Sequence, residues 1–132
     1  MNFISQSQCE LNYGDLVTMR DSCAHSYGIA GGTVGTVVSR ENENGYIKVL
    51  WPQWGGKVQR AVVNKIMTSS DYEVGDTVIQ KTSDGSVRNV VVDNKEVDIK
   101  NGRSGFSGTL VGAAPHHFGV WGYDHQIIAV IK

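Results

Sequence analysis

Cysteine, proline and long apolar runs are all scarce in this sequence. The two cysteines, Cys9 and Cys23, are too few for the disulfide framework of a small secreted protein. We therefore expect a reducing compartment, with a single bridge between them left open. No stretch approaches the ~18 apolar residues of a membrane span, and the first ten residues lack the basic start and apolar core of a signal peptide. These absences favour a soluble cytoplasmic protein.

An excess of positive charge is also missing. Twelve Lys and Arg residues oppose thirteen Asp and Glu residues, which gives a net charge of −1. Proteins that bind nucleic acid by general, salt-dependent attraction need clustered cations, so this composition disfavours that class. The hydrophobic fraction of 40% is large enough for a packed core, and 132 residues suit one ordinary domain or two very small ones.

Glycine, by contrast, is abundant. It supplies 16 of 132 residues while proline supplies two, which indicates many tight turns and favours an all-β fold. Asn44-Gly45 is a strong hairpin signal because both residues tolerate positive φ. Five short strands with a long loop after the first predict a small barrel of the SH3 type. The stretches rich in β-branched and aromatic residues are 15–20, 33–40, 46–51, 57–63 and 65–67.

The sequence also repeats itself, which indicates two copies of one unit. Extra length in the second copy indicates an inserted hairpin around Asp93-Asn94. We predict two small SH3-like barrels in tandem, over residues 1–70 and 71–132, joined by a polar linker. The matches are Gly14-Asp15-Leu16-Val17 with Gly75-Asp76-Thr77-Val78, the Gly-x-x-Gly-Thr-aliphatic-Val phrase of 32–38 with that of 105–111, and Trp51 with Trp121.

The repeated glycine phrase has two interpretations. A Gly-x-x-Gly segment can clamp a phosphate or a nucleic-acid backbone, or its glycines can let a strand curl at a barrel corner. A phosphate clamp normally leads into a helix N-terminus, whereas both copies here run into β-branched or aliphatic residues. We therefore predict that the phrase bends the backbone into closed barrels.

With these residues the chain resembles the SH3-like barrels of the KOW and Mib-Herc2 classes, closely over 14–67 and loosely over 75–132. The resemblance implies a protein that binds protein segments or nucleic acid without catalysis. The chain is less basic than many KOW modules, and Pro52 stands where Mib-Herc2 modules carry an acidic residue. Tandem barrels of this kind also resemble phage-encoded accessory proteins, which implies a viral protein. The matching residues are Gly14, Asp15, Val17, Gly32, Gly35, Val37, Val49 and Trp51, then Gly75, Asp76, Val78, Gly105, Gly108, Leu110 and Trp121.

Aromatic residues and one long loop are the main candidates for a binding surface. Loop 21–32 has no strand character, and loops of this length are uncommon unless they bind something. Trp51 follows Ile47 and Val49 at a period of two, so we expect it in the core. The sequence therefore favours a non-enzymatic module that recognises a protein partner through this loop and the adjacent tryptophan surface. The candidate residues are Tyr27, Tyr46, Trp54 and His25.

The alternative function is nucleic-acid binding through a basic edge of the first barrel, in contact with the transcription or translation machinery. Its candidate residues are Lys48, Lys57, Arg60 and Lys65. The sequence does not indicate an enzyme, because a Cys23–His25 pair would need an orienting group and an oxyanion site that its spacing does not supply.

Segment 115–126 invites a metal interpretation, which we do not favour. His116, His117, Asp124 and His125 are permissible ligands. Adjacent residues of a strand point to opposite faces, so the first two cannot share one ion without a turn. We predict no metal and no cofactor.

Overall fold

A computed structural model describes residues 3–112 and 119–132, and it confirms an all-β protein. Strands make up 48% of these residues and helices 13%. Contacts divide the chain into two compact units. We call Gln6–Ile66 the N-terminal unit, and Met67–Lys132 together with the strand Phe3–Ser5 the C-terminal unit.

The N-terminal unit is one antiparallel sheet of five strands. Helix α1 (Asp21–Ala24) and a 3₁₀ turn (His25–Tyr27) lie between its first two strands, within the segment expected to be loop. A second 3₁₀ turn, Arg60–Val62, precedes its last strand. The strands are β2 (Leu16–Met19), β3 (Val34–Val37), β4 (Tyr46–Leu50), β5 (Gly55–Gln59) and β6 (Val63–Lys65), in the order β5-β4-β3-β2-β6.

Alternation along the strands builds the core of this unit. In β4, Ile47 and Val49 are buried while the residues on either side of them are exposed. Trp51 packs in the same core, as its spacing predicts. A Cβ atom on Gly35 would lie 2.6 Å from both the Trp51 ring and the Val49 side chain. Gly35 therefore makes room for the buried tryptophan.

The C-terminal unit is a six-stranded antiparallel sheet. Strand β1 (Phe3–Ser5) pairs with β11 (Ile127–Ile131). The chain thus divides after Ile66, where the sequence suggested residue 70, and the first strand belongs with the last. A 3₁₀ turn, Asp124–Gln126, precedes β11. The strands are β1 (Phe3–Ser5), β7 (Thr77–Lys81), β8 (Val87–Lys100), β9 (Arg103–Leu110), β10 (Val120–Tyr123) and β11 (Ile127–Ile131), in the order β1-β11-β7-β8-β9-β10.

The Gly-Asp repeat of the sequence corresponds to a repeated turn. Gly14 and Gly75 have φ values of 92° and 97°. Their N–H groups donate to Val37 O and Val92 O, each at 2.8 Å. The two aspartates each accept a hydrogen bond from the N–H three residues earlier. The turns lead into β2 and β7. Strands β2–β6 and strands β7–β11, counted from the first to the fifth strand of each unit without β1, occur in the same order, so the two units share one connectivity.

The repeated glycine phrase, however, is not a structural repeat, which corrects the sequence alignment. Val17 of β2 faces Gly35, whereas its counterpart Val78 of β7 faces Val90. Gly35 therefore lies on the second strand of its unit and Gly108 on the third. A side chain on Gly108 would clash with Val91 O of the neighbouring strand. Gly35 makes room for side chains, whereas Gly108 makes room for the backbone of a neighbouring strand. The similarity of the two short sequence phrases does not reveal this difference.

Two further expectations need correction, and a third is not confirmed. Trp51 follows the third strand of its unit while Trp121 lies in the fourth, so they are not counterparts. The proposed hairpin at Asp93-Asn94 is instead a register irregularity inside the 14-residue strand β8, which turns at Asn101-Gly102. Closed barrels are not confirmed, since neither sheet closes on itself within the described ranges.

Candidate binding site

Two exposed aromatic rings meet on the N-terminal unit. Tyr27 ends the 3₁₀ turn after α1, and Trp54 ends the turn between β4 and β5. Their ring centroids are 6.0 Å apart with the planes tilted by 56°. Tyr27 is 40% exposed and Trp54 is 41% exposed. The pair therefore combines mutual contact with ring surface that solvent can reach, and we call it the aromatic pair.

The fold holds Tyr27 from beneath. Ala24 and Ile29 are both buried in the core on either side of it. Ile29 N donates to Ala24 O at 3.0 Å, which closes the intervening segment. Gly28 has a φ of 69°, the left-handed conformation that lets the chain turn back directly after Tyr27. The long loop is thus anchored at two points and presents its tyrosine outward.

Trp54 is positioned by its own tight turn. Trp51 N donates to Trp54 O at 2.7 Å, and Trp54 N donates to Trp51 O at 3.3 Å. A Cβ on Gly56 would come within 2.9 Å of the Trp54 ring. The indole therefore rests against the glycine backbone of β5. One tryptophan of the turn is buried and the other is displayed.

The other two predicted partner-binding residues occupy different places. His25 is exposed and begins the same 3₁₀ turn that Tyr27 ends. Tyr46 pairs with Gln59 at one end of the β4–β5 ladder, whereas the turn carrying Trp54 joins its other end. The Tyr46 hydroxyl accepts a hydrogen bond from Gln59 Nε2 at 3.4 Å. Tyr46 therefore lies apart from the aromatic pair.

Of the four basic residues predicted to form an edge, only two are exposed. Lys48 and Lys57 are exposed and lie directly opposite each other on β4 and β5. Arg60 is only 8% exposed and Lys65 only 7%. Arg60 donates to the carbonyl oxygens of Cys9 and Val63, each at 2.8 Å. Arg60 therefore stabilises the interior of the unit by hydrogen bonding to the backbone, and the basic edge consists of Lys48 and Lys57.

A buried polar network in the C-terminal unit was missed by sequence reasoning. The Tyr72 hydroxyl donates to Asp124 Oδ1 at 2.5 Å, and Ser104 Oγ donates to Asp124 Oδ2 at 2.6 Å. Burial, followed by the hydrogen bond to Asp124, raises the pKa of Tyr72 well above its usual value. Both Tyr72 and Asp124 are almost fully buried, so this network stabilises the fold.

Trp121 was also misread, as the counterpart of the buried Trp51. It is 43% exposed and lies beside Tyr123, with ring centroids 5.4 Å apart. The alternation Trp-Gly-Tyr over 121–123 could have predicted this contact, because residues two apart on a strand lie on the same face.

The remaining expectations concern metal ligands, cysteines and membrane spans. His116 and His117 lie outside the described residues. Within 3–112 and 119–132, no group of three or more His, Cys, Asp or Glu side chains is placed to hold a metal ion. Cys9 and Cys23 form no disulfide. No helix in those ranges is both long enough and apolar enough to cross a membrane.

Comparison with protein families, with curated proteins and with solved structures finds no match for this chain.

Proposed function

We propose that the protein is a non-enzymatic binding module made of two SH3-like units, and that its N-terminal unit recognises an extended segment of a protein partner. The aromatic pair Tyr27–Trp54 is the observation that carries this proposal. Two rings that are each about 40% exposed yet fixed against one another offer a site for an apolar or proline side chain.

The connectivity supports the SH3-like assignment. In each unit the fifth strand lies beside the first, and the second, third and fourth follow in order. In each unit a single 3₁₀ turn immediately precedes the fifth strand. This arrangement is what a small five-stranded barrel of the SH3 type has, with an open seam between its fourth and fifth strands.

Preorganisation supports the aromatic pair as the contact surface. Binding costs free energy when loops and side chains must become ordered. Tyr27 is held between the buried Ala24 and Ile29, and Trp54 rests on Gly56. Folding has therefore already ordered these two side chains, so binding requires little further loss of conformational entropy. Tyrosine and tryptophan are also the residues that dominate measured binding energies at interfaces.

Selection from a random-peptide display library, followed by titration of the selected peptides, tests the proposal. We expect Trp54→Ala and Tyr27→Ala each to weaken binding by about tenfold or more, as loss of an aromatic anchor does. Tyr46→Ala is the matched control, because Tyr46 is 38% exposed but lies at the far end of β4. Retained binding in Trp54→Ala, or equal loss in Tyr46→Ala, would contradict the proposal.

Nucleic-acid binding by the N-terminal unit is the second candidate, favoured by the facing lysines Lys48 and Lys57. With Arg60 and Lys65 buried, two cations remain, and the salt dependence of binding scales with the number of neutralised phosphates. Lys48→Gln with Lys57→Gln should abolish such binding and leave peptide binding unchanged. The smaller edge makes this candidate the weaker one.

A further inference from the structure

Three rings form a row along one edge of the C-terminal unit. Trp121 and Tyr123 lie on the edge strand β10 and meet edge to face, at 5.4 Å and 86°. Tyr123 stacks on His125, with centroids 5.2 Å apart and planes only 15° apart. We call Trp121, Tyr123 and His125 the aromatic row. Trp121 and His125 are exposed at its two ends, while Tyr123 is half-buried between them.

Two cations lie over this row. Lys100 Nζ is 5.7 Å from the centre of the Trp121 ring, and Arg103 Cζ is 5.8 Å from the centre of the Tyr123 ring. They flank the Asn101-Gly102 turn and face each other as a cross-strand pair. Within residues 3–112 and 119–132, neither forms a salt bridge with a carboxylate. Both charges are exposed and available to an anion.

The row is fixed from below. Gly122 separates its two strand aromatics, and a Cβ there would clash with the side-chain amide of Gln80. Gln80 is 2% exposed and donates to Gln126 Oε1 at 2.7 Å. Gln126 Oε1 also accepts from Tyr123 N at 3.1 Å. The Trp-Gly-Tyr alternation therefore displays two rings outward, while the side-chain amides of Gln80 and Gln126 hold the strand.

Arg88 completes this support. Its Nε donates to Gln80 Oε1 at 2.8 Å and its Nη2 donates to Trp121 O at 2.9 Å. Arg88 is thus a positioning residue. Together with Trp121 and Tyr123 it lines a cleft of about 290 Å³ beside the turn that joins β7 to β8.

We propose that the aromatic row, with Lys100 and Arg103, binds single-stranded nucleic acid. Bases would stack on Trp121 and on the outer face of His125, and the backbone phosphates would pair with the two cations. Stacked aromatic rings beside cations are how proteins hold unpaired strands without reading sequence. An edge strand also suits an unpaired strand, whose bases can be splayed out, better than a duplex, whose bases are already stacked on each other.

An acidic protein segment is the competing ligand, and the rings argue against it. Carboxylates would satisfy Lys100 and Arg103 but would leave the exposed Trp121 ring without a stacking partner. Nucleotides supply both a flat ring and a phosphate at each step. The proposal does not depend on peptide recognition by the N-terminal unit, since it concerns other residues of another unit.

Fluorescence anisotropy with a labelled single-stranded oligonucleotide of mixed sequence, as DNA and as RNA, tests the proposal. We expect binding at ~50 mM salt that weakens by only several-fold towards ~200 mM, because two phosphate contacts give a shallow salt dependence. Trp121→Ala should weaken binding about tenfold, as loss of one stacked base does, and Trp121→Phe should recover most of that loss. Lys100→Gln and Arg103→Gln should each lower the salt slope by about one contact.

Controls separate this site from the others. Arg40→Gln removes one charge from an exposed position of the N-terminal unit and should leave oligonucleotide binding unchanged, as should Trp54→Ala. Failure to bind at low salt would overturn the proposal, and so would full binding in folded Trp121→Ala. Equal competition by polyglutamate would identify a general polyanion site instead. Better competition by duplex than by single strand would also overturn it. Circular dichroism of each variant confirms that it is folded.

Discussion

Arg60 and Asp124 occupy the same position in the two units and carry opposite charges. Each begins the 3₁₀ turn that precedes the fifth strand of its unit, and each is buried. Arg60 donates to the backbone of the segment that leads into the first Gly-Asp turn, at Cys9 O. Asp124 accepts from Tyr72, which leads into the second. In each unit, a buried charged residue thus binds the segment before the Gly-Asp turn. That residue is a hydrogen-bond donor in the N-terminal unit and an acceptor in the C-terminal unit.

Removing the Asp124 carboxylate should destabilise the C-terminal unit. Asp124→Ala leaves the buried Tyr72 hydroxyl without its short hydrogen bond and deprives Ser104 of its acceptor. We expect a loss of about 1–3 kcal/mol in the free energy of unfolding, measured by urea titration. Asp93→Ala is the matched control, since this exposed aspartate accepts a longer hydrogen bond of 3.2 Å from Thr109 at the surface. An equal effect in both variants would contradict the assigned role.

The raised pKa of Tyr72 predicts a loss of stability at alkaline pH. The unfolded chain releases the tyrosine proton near pH ~10, whereas burial and Asp124 make the folded protein retain it. The stabilisation is therefore fully present below that pH and declines as the pH rises above it. Thermal unfolding measured from pH ~9 to ~11 tests this linkage. The unfolding temperature of the wild type should fall more steeply with pH than that of Tyr72→Phe. Parallel curves would contradict this linkage.

The packing of Trp51 against Gly35 predicts a costly alanine substitution. A Cβ at position 35 would lie 2.6 Å from the Trp51 ring and from Val49, both buried. We expect Gly35→Ala to destabilise the N-terminal unit by about 1–3 kcal/mol, as overpacking does. Gly31→Ala is the matched control, because its nearest neighbour, Asp21 Oδ1, is 3.5 Å away. Tryptophan fluorescence during denaturation provides the measurement.

The all-β class and the Gly-Asp repeat were predictable because they depend on local signals. Strand alternation at Ile47 and Val49 placed Trp51 in the core, and Asn44-Gly45 marked a turn. The pairing of Gly35 with Gly108 failed because sequence similarity over seven residues does not say which strand a phrase occupies. The burial of Arg60 was equally hidden, since its hydrogen-bond acceptors include Cys9, 51 residues earlier. Long-range partners, rather than residue types, decided which candidates reached the surface.

The environment of His125 predicts a low pKa that responds to Arg103. Burial lowers the pKa of the imidazole, and the nearby Arg103 cation lowers it further. Because the unfolded chain then binds the proton more readily, His125 lowers stability as the pH falls through ~6.5 and below. NMR titration of the ring should give a value below 6.5 in the wild type. Arg103→Gln should raise it without restoring it fully, and an unchanged value would contradict the coupling.

Deleting the first five residues should affect the C-terminal unit more than the N-terminal unit. Phe3, Ile4 and Ser5 pair with Ile131, Val130 and Ala129 of β11. Their loss exposes the backbone of β11, so we expect faster amide exchange in β11 and β7. Exchange in β3 and β4 should remain unchanged. Hydrogen exchange followed by mass spectrometry makes this comparison, and loss of protection mainly in β3 and β4 would contradict the pairing.

The pairing of β1 with β11 has a consequence for biosynthesis. Strand Phe3–Ser5 is synthesised before the other described strands, yet its partner Ile127–Ile131 is synthesised after all of them. The N-terminal unit has all its strands as soon as Lys65 has emerged, so it can fold while translation continues. Strand Phe3–Ser5 must meanwhile stay without its partner until Ile127–Ile131 has emerged. Completion of the larger sheet therefore waits until the strands of both units have been synthesised.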